Sequence, residues 1–240
     1  MTTFVLVHGS SGGGWCWQRL APILERGGHR VYRPTLTGTG ERSHLLSPSV
    51  DLSTHITDVE RLLFYEDIHD AVLVGHSYSG MVITGVAQRV PERLSRLIYL
   101  DAYVPEPGES RWDLLPPEVV GIERSNVDPH GGTGPKPPVA LFVPDDPPLA
   151  AWIDARLTPH PAGSYRQPLP TDPLPPVPGA FIECTEGQSR FASSAARASA
   201  RGWPVLRLAR RHFSILTHPE EVAALLLQLS LRVPDTRAVT

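Results

Sequence analysis

The stretch Gly75-His76-Ser77-Tyr78-Ser79-Gly80 decides the fold of this 240-residue chain. It follows the apolar run at residues 71–74 (Ala-Val-Leu-Val) and precedes residues 81–87 (Met-Val-Ile-Thr-Gly-Val-Ala), which are compatible with a helix. The order is therefore strand, sharp turn, helix. A serine in a strained turn of this kind needs small neighbours because the backbone passes close to itself. The pattern predicts that the turn lifts the Ser77 hydroxyl above the edge of a sheet.

The composition indicates one α/β domain with room for a small insertion. The formal net charge is −3 and the basic residues are dispersed, so we expect no nucleic-acid partner. The N-terminal residues 1–3 lead directly into an apolar run without a basic segment, and no run is long enough to span a bilayer. We therefore expect a soluble, unexported, cytoplasmic protein with no membrane partner.

Two cysteines, Cys16 and Cys184, are the only ones in the chain. Two cysteines cannot form a disulfide framework, and they do not have the spacing of metal ligands. We expect both thiols to be reduced and buried, and no bound metal. A homodimer is left open.

Apolar runs of strand length recur along the chain with helix-like stretches between them. The runs are residues 4–7, 31–32, 71–74, 97–100, 180–182 and 205–208. This alternation predicts βαβ crossovers and a mostly parallel sheet flanked by helices. Helices are predicted to begin near Trp15, Ser53, Ser77, Gln188 and Pro219.

Residues 105–178, called the inserted segment below, interrupt this pattern. They hold 19 of the 26 prolines and only short apolar pieces. One interpretation is a disordered linker. We favour a lid over a core formed by residues 1–104 and 179–240, because aromatic side chains in the segment would be costly to expose and a binding site needs a roof.

An activated serine needs a base, and His212 is best placed among the ten histidines. It follows the strand-like run at residues 205–208 and precedes the terminal helix, so it is predicted at the carboxyl edge of the sheet, where α/β proteins bind ligands. A surface histidine is the alternative. His76 lies inside the turn, and we expect it to pack rather than react.

Two backbone N–H groups are predicted to stabilise an oxyanion. Tyr78 directly follows the nucleophile, and Ser10 lies in the glycine-rich loop after the first strand, at residues 8–14. That loop lacks the Lys-Ser/Thr ending of a P-loop and the spacing of a dinucleotide fingerprint. We therefore expect no nucleotide.

Several motifs together resemble the α/β-hydrolase superfamily. They are residues 4–9 (Phe-Val-Leu-Val-His-Gly), residues 14–17 (Gly-Trp-Cys-Trp), residues 74–77 (Val-Gly-His-Ser), and His212 followed by residues 217–221 (Thr-His-Pro-Glu-Glu). The chain is most similar to the branch of plant methyl-salicylate-type esterases, hydroxynitrile lyases and their bacterial relatives. The resemblance implies that Ser77 is the nucleophile, that His212 is the base, that Ser10 and Tyr78 are the oxyanion donors, and that no cofactor is used.

The chain departs from the lyases of that branch at two positions. The lyases typically carry threonine where this chain has Gly9, and lysine directly after the catalytic histidine, where it has Phe213. The charged group that handles cyanide is therefore missing. This difference favours ester hydrolysis.

The chain also differs from the plant enzymes in the acid that would orient His212. The plant enzymes place an aspartate where this chain has Gly187, and an alanine where it has Asp101. Some lipases of the superfamily use an acid at that earlier strand, so Asp101 is our prediction for the residue that orients His212. Glu186 is one alternative. In another, Asp101 anchors the lid and the backbone alone orients His212.

These observations predict a carboxylesterase that acts on a small or medium apolar ester, with an aromatic or polyketide-like part. Substrate contacts are predicted for Trp112, Trp152, Tyr103 and Phe213. A lyase, a thioesterase or a cyclase that uses the same site is one alternative, and a pseudo-hydrolase that only binds a small molecule is another.

Overall fold

A computed structural model describes residues 1–127, 132–134, 136–187 and 190–231. Its strands are β1 Thr3–Val7, β2 Arg30–Tyr32, β3 Ala71–Ser77, β4 Leu94–Ala102, β5 Thr133–Gly134, β6 His160–Pro161, β7 Gly179–Cys184 and β8 Val205–Leu208. Its α-helices are α1 Ala21–Arg26, α2 Leu52–Tyr65, α3 Ser79–Arg89, α4 Pro117–Ser125, α5 Val139–Phe142, α6 Pro147–Asp154, α7 Gly163–Arg166, α8 Ala192–Ala200, α9 Ser214–Thr217 and α10 Pro219–Ser230. Short 3-10 helices lie at Gly14–Trp17, Gly40–Leu45, Pro91–Arg93 and Arg111–Leu114.

The described strands form a six-stranded sheet in the order β2-β1-β3-β4-β7-β8, and each neighbouring pair is parallel. Central strands read as continuous apolar runs because both faces of a parallel sheet are covered by helices. Residues on one face pack with α2 and α3, as Val5 and Leu73 do, whereas Phe4 and Val74 pack with α1 and α10 on the other. The predicted α/β fold with a mostly parallel sheet is confirmed.

The chain order of the strands creates a crevice at the carboxyl edge. After β1 the chain crosses to β2 on one side, and β3 then pairs with β1 on the other side. In open α/β sheets such a switch point is where ligands bind. The loop after β1 and the turn after β3 meet here so closely that a Cβ on Gly9 would lie 2.9 Å from Cβ of Ser77.

The inserted segment leaves the main sheet after β4 and returns at β7. Its described residues form the 3-10 helix at Arg111–Leu114, helices α4 to α7 and the two-stranded sheet β5-β6, and they add no strand to the main sheet. A lid function for the segment stays a prediction. The predicted helix start near Gln188 lies outside the described residues, and α8 begins at Ala192.

Among the described helices, none has both the length and the apolar character needed to cross a membrane. The predicted cytoplasmic location and the homodimer stay predictions.

Candidate active site

Ser77 lies at the sharp turn between β3 and α3. Its φ of +58° is a left-handed conformation that a serine adopts only under constraint. The constraint is close backbone packing, since a Cβ on Gly80 would come within 1.9 Å of the Tyr103 carbonyl oxygen. The Ser79 hydroxyl fixes the turn by donating to the Val7 carbonyl oxygen at 2.7 Å. These contacts explain why small residues surround Ser77.

Asp101 occupies a second strained position, beside Ser77, at the end of the neighbouring strand β4. Its φ is +44°. The pairing of β3 with β4 runs from His76–Leu100 directly to Ser77–Ala102, so Asp101 is the extra residue of a bulge. Bulges next to active sites re-aim a side chain. Here the bulged residue is Asp101, and its carboxylate points across β7 toward the loop that follows β8.

The Asp101 carboxylate receives two hydrogen bonds and is buried. Nδ1–H of His212 donates to its Oδ2 at 2.6 Å, and the backbone N–H of Cys184 donates to Oδ1 at 3.2 Å. A neutral imidazole that donates through Nδ1 keeps Nε2 as an acceptor. His212 therefore has the tautomer that a general base needs.

Glu186 does not share this geometry. Its side chain is about half exposed and its Oε1 lies 3.6 Å from Nη1 of Arg210. Gly187 has a φ of +89°, a conformation that disfavours any other residue at the position where the plant enzymes carry their acid. The structure brings Asp101, and not Glu186, to the His212 ring.

Aromatic rings hold the His212 side chain from several sides. Phe191 stacks on it at 5.4 Å between ring centroids, Phe142 lies at 5.2 Å, and His76 at 4.4 Å. His76 Nε2–H also donates to the His212 carbonyl oxygen at 2.9 Å. Burial holds the pKa of His76 well below its usual 6.5, so the ring stays neutral. The expected packing role of His76 therefore includes a hydrogen bond that ties the base to the nucleophile turn, which the sequence did not indicate.

The predicted oxyanion donors lie on opposite sides of the crevice. Residues 9–12 form a turn closed by the Gly12 N–H and the Gly9 carbonyl oxygen, with Ser11 at a φ of +64°. The turn does not use the N–H of Ser10, its second residue. Tyr78 is the N-cap of α3, whose first N–H groups have no partner within the helix. Neither N–H group is therefore used by the turn or helix that contains it.

A cavity of about 150 Å³ lies at the carboxyl edge of the sheet, and Tyr78 is not in its lining. Ser10, Ser77 and His212 line it. The other lining residues include Tyr103, Phe142, Tyr165, Phe191 and Phe213, so the walls are largely aromatic. Of the four predicted substrate contacts, Tyr103 and Phe213 are in this lining.

Trp112 and Trp152 are not in the cavity lining, so this cavity does not support the predicted substrate contacts of these two residues, which stay a prediction. The Trp112 indole N–H donates to Glu123 at 3.1 Å. Trp152 lies on α6 and packs edge-on against Trp15 at 5.4 Å, with the Arg156 guanidinium over its ring at 3.9 Å. Both indoles are occupied in packing the inserted segment. A residue type alone does not tell which face of such a segment it covers.

One wall of the cavity is charged, which the sequence analysis missed. Arg111 is buried, its guanidinium lies 4.0 Å from the centroid of the Tyr165 ring, and it forms a two-pronged ion pair with Glu123. Lys136 and Arg190 also line the cavity. The three cations and one carboxylate make this wall electropositive.

Cys16 is another cavity residue, and its chemistry separates it from Ser77. Burial raises the pKa of the Cys16 thiol to about 12. The thiolate, not the thiol, is the nucleophilic form of cysteine, so Cys16 is inert near neutral pH. Ser77 and His212 line the same cavity.

Comparison with known proteins agrees with this geometry. A sequence model described as the alpha/beta hydrolase family matches residues 4–225. The chain belongs to the alpha/beta hydrolase family. A carbendazim hydrolyzing esterase of Nocardioides sp. (strain SG-4G) is 44% identical over 180 residues, which cover 70% of this chain and 73% of that protein. Methylesterase 1 of Arabidopsis thaliana is 33% identical over 114 residues, which cover 43% of this chain and 40% of that protein.

A solved structure extends the likeness to this alpha/beta hydrolase's whole fold. It is described as an extracellular alpha/beta-hydrolase from a Paenibacillus species that shares structural and functional homology with tobacco salicylic acid binding protein 2. Its TM-score is 0.86 at 26% identity, and the match covers 95% of this chain and 99% of that chain. The chain is therefore an enzyme of the hydrolase class, and its resemblance to the plant methylesterases and their bacterial relatives is confirmed.

Proposed function

We propose that this alpha/beta hydrolase is a cofactor-free serine esterase for small esters with an aromatic or otherwise planar part. The observation that carries the proposal is the 2.6 Å hydrogen bond from His212 to Asp101, beside a cavity that Ser77 and Ser10 also line. A nucleophile, a base with its orienting acid, and an oxyanion donor thus belong to one site.

The groups of the site account for both half-reactions. In the first, the Ser77 Oγ attacks the ester carbonyl carbon while His212 Nε2 takes its proton, and the N–H groups of Ser10 and Tyr78 hold the oxyanion. The C–O bond to the alcohol then breaks and His212 returns the proton to the leaving oxygen. In the second, water attacks the acyl-enzyme with His212 again as base, which releases the acid and restores Ser77. Asp101 stabilises the imidazolium in both.

The dimensions of the cavity favour a small planar substrate. An engineered protein cavity of about 150 Å³ holds one benzene molecule, and the cavity beside Ser77 has about the same volume. Its aromatic walls, which include Tyr103 and Phe213, suit stacking and edge contacts with a ring. A long acyl chain would not fit within a cavity of this volume.

Two positions favour hydrolysis over lyase chemistry. Phe213 lines the cavity directly after the base, so an apolar ring occupies the position of the lyase lysine. Gly9 faces Ser77 without a side chain, and a Cβ there would lie only 2.9 Å from the Ser77 Cβ. The esterase names of the relatives support the same reaction class.

The test is a substrate panel with purified protein. Methyl benzoate and methyl salicylate represent small aromatic esters, carbendazim represents a small aromatic methyl carbamate, and they are compared with a long-chain ester and an aromatic thioester. We expect the highest kcat/KM on a small aromatic ester, and loss of turnover in Ser77→Ala but not in Ser125→Ala, which changes an exposed serine of α4. Preference for the long-chain ester contradicts the substrate class, and preference for the thioester favours the thioesterase alternative. Turnover that survives in a folded Ser77→Ala protein contradicts the mechanism.

A further inference from the structure

His160 of the inserted segment is fully buried and touches the turn that carries Ser10. Its Nδ1 accepts a hydrogen bond from the backbone N–H of Ser11 at 3.0 Å. Its Nε2–H donates to the Ser164 hydroxyl oxygen at 3.0 Å, and that hydroxyl donates to the Pro161 carbonyl oxygen at 2.8 Å. Because the Ser164 proton is already committed, this chain fixes the tautomer in which Nδ1 is the acceptor.

Ser11 needs external support to keep its conformation. It is the third residue of the turn at residues 9–12, where its φ of +64° is a position that favours glycine. Both of its backbone polar groups are bound by the inserted segment, since the Thr158 N–H donates to the Ser11 carbonyl oxygen at 3.0 Å. A strained conformation persists when its surroundings over-determine it. The hydrogen bonds of Thr158 and His160 to Ser11 hold it in this conformation.

The same imidazole also packs on the other side of the oxyanion site. The ring of Tyr78 meets the His160 ring edge-on at 4.8 Å, and the ring of Tyr165 stacks on it at 4.6 Å. The Tyr78 hydroxyl is in turn hydrogen-bonded to His55 Nδ1 at 2.9 Å. One side chain therefore contacts both Tyr78 and the residue next to Ser10.

We infer that His160 is a positioning residue that sets the separation of the two oxyanion donors, the N–H groups of Ser10 and Tyr78. The inference rests on the proposed esterase function. It gives the inserted segment a second task besides roofing the cavity, since residues 158–160 hold the Ser10 turn in its reactive conformation. Catalysis then depends on this part of the segment even for substrates too small to touch it.

The chemistry of the imidazole suits this task. Burial, with the nearby His55 and Arg111 as further causes, holds the pKa of His160 well below 6.5. The ring therefore stays neutral, and Nδ1 stays an acceptor, across the pH range in which an esterase is assayed. A protonated ring would present a hydrogen to the Ser11 N–H and break the contact.

Two amide substitutions of His160 separate positioning from packing. An asparagine places its oxygen near the position of Nδ1 and can keep the bond to Ser11, whereas a glutamine reaches toward Ser164 and leaves the Ser11 N–H without its acceptor. Direct removal of one oxyanion donor costs about 10²–10³ in kcat in a protease. Displacing a donor should cost less than removing it. We expect His160→Gln to lower kcat by at least about tenfold with KM nearly unchanged. The kcat of His160→Asn should stay within about threefold of wild type.

A transition-state readout and a matched control complete the test. A trifluoromethyl ketone, which forms an oxyanion on Ser77, should bind His160→Gln more weakly in proportion to the loss of kcat, whereas binding of the product acid should not change. Ser164→Ala removes the other hydrogen bond of the same ring, but the Ser11 N–H still requires Nδ1 as its acceptor, so the variant should lower the melting temperature and leave kcat within about threefold. Equal kcat in the folded Asn and Gln variants overturns the inference. Because wild-type turnover and its loss in Ser77→Ala are measured alongside, that result is distinct from failure of the esterase proposal.

Discussion

Nδ1 of His212 lies 2.6 Å from Oδ2 of Asp101, although 111 positions separate the two residues in the chain. The contact forms because the bulge at the end of β4 and the loop after β8 meet over β7, which lies between the two strands. In the proposed mechanism Asp101 is the acid that orients His212. We expect its removal to affect the chemical step rather than substrate binding.

Asp101→Asn should therefore lower kcat at least about a hundredfold with little change in KM, because an asparagine can no longer stabilise the imidazolium; in a serine protease this change costs about 10⁴. Glu186→Gln is the matched control and should cost less than about tenfold. Both variants are assayed at saturating substrate, with circular dichroism to verify the fold. If Glu186→Gln shows the larger loss of kcat, Asp101 is not the acid that orients His212.

Gly80→Ala should destabilise the fold. The new Cβ would lie 1.9 Å from the Tyr103 carbonyl oxygen, a backbone atom that cannot move without displacing the end of β4. Overpacking of this kind costs about 1–3 kcal/mol or more. Gly121→Ala in α4 is the control, since no atom lies within 4 Å of its Cβ and alanine favours a helix by about 0.5–1 kcal/mol. Urea unfolding should show a loss for the first variant and no loss for the second. Equal free energies of unfolding for the two variants would contradict the close approach of residue 80 to the Tyr103 carbonyl oxygen.

Stability should fall as the pH drops from 6.5 toward 5, before the carboxylates titrate. Burial lowers the pKa of His8 to about 4 and also lowers the pKa values of His55, His76 and His160 from 6.5. Below pH 6.5 the unfolded chain therefore binds protons that the folded chain does not. Each histidine can remove up to about 1.4 kcal/mol per pH unit.

Urea unfolding of wild type at pH 7.5, 6.0 and 5.0 measures this slope. Replacing the exposed His44 by glutamine should leave this slope unchanged, because the slope is attributed to the four buried rings and His44 lies on the surface. A free energy of unfolding that is constant or higher at pH 5.0 would mean that the four rings are not buried in their neutral form.

The electropositive wall should favour esters that carry a negative charge elsewhere. Arg190→Gln should raise KM for monomethyl terephthalate about three- to tenfold but leave KM for methyl benzoate unchanged, and added salt should reduce the difference by screening. Arg207→Gln, whose side chain is 79% exposed on β8, is the control. An equal effect of Arg190→Gln on both esters would show that Arg190 acts by packing rather than by charge.

The sheet was predictable because its strands are apolar runs punctuated by turn residues. Residues 205–208 match β8 at both ends, and the other runs are extended in the structure by at most three residues at either end. The nucleophile turn could be read for the same reason, since close backbone contacts demand small residues at fixed positions. Both are local signals.

Tertiary contacts decide the rest of the site. The side-chain direction of Asp101 depends on a bulge that appears only when β4 pairs with β3. In the inserted segment the prolines leave no periodicity, so neither the outward packing of Trp152 nor the contact of His160 with Ser11 could be deduced from spacing. The buried histidines give one usable signal, since a histidine flanked by apolar and small residues is often a hydrogen-bonded core residue.

In the proposed mechanism Ser77 forms a covalent bond to the substrate, and stoichiometric labelling shows whether this serine is reactive. Wild-type protein is treated with a fluorophosphonate and digested, and mass spectrometry locates the adduct. We expect one adduct per chain on the peptide containing Ser77, no adduct in Ser77→Ala, and loss of esterase activity in step with labelling. An unlabelled protein that still hydrolyses esters, or an adduct on another residue that accounts for the lost activity, would rule out Ser77 as the nucleophile.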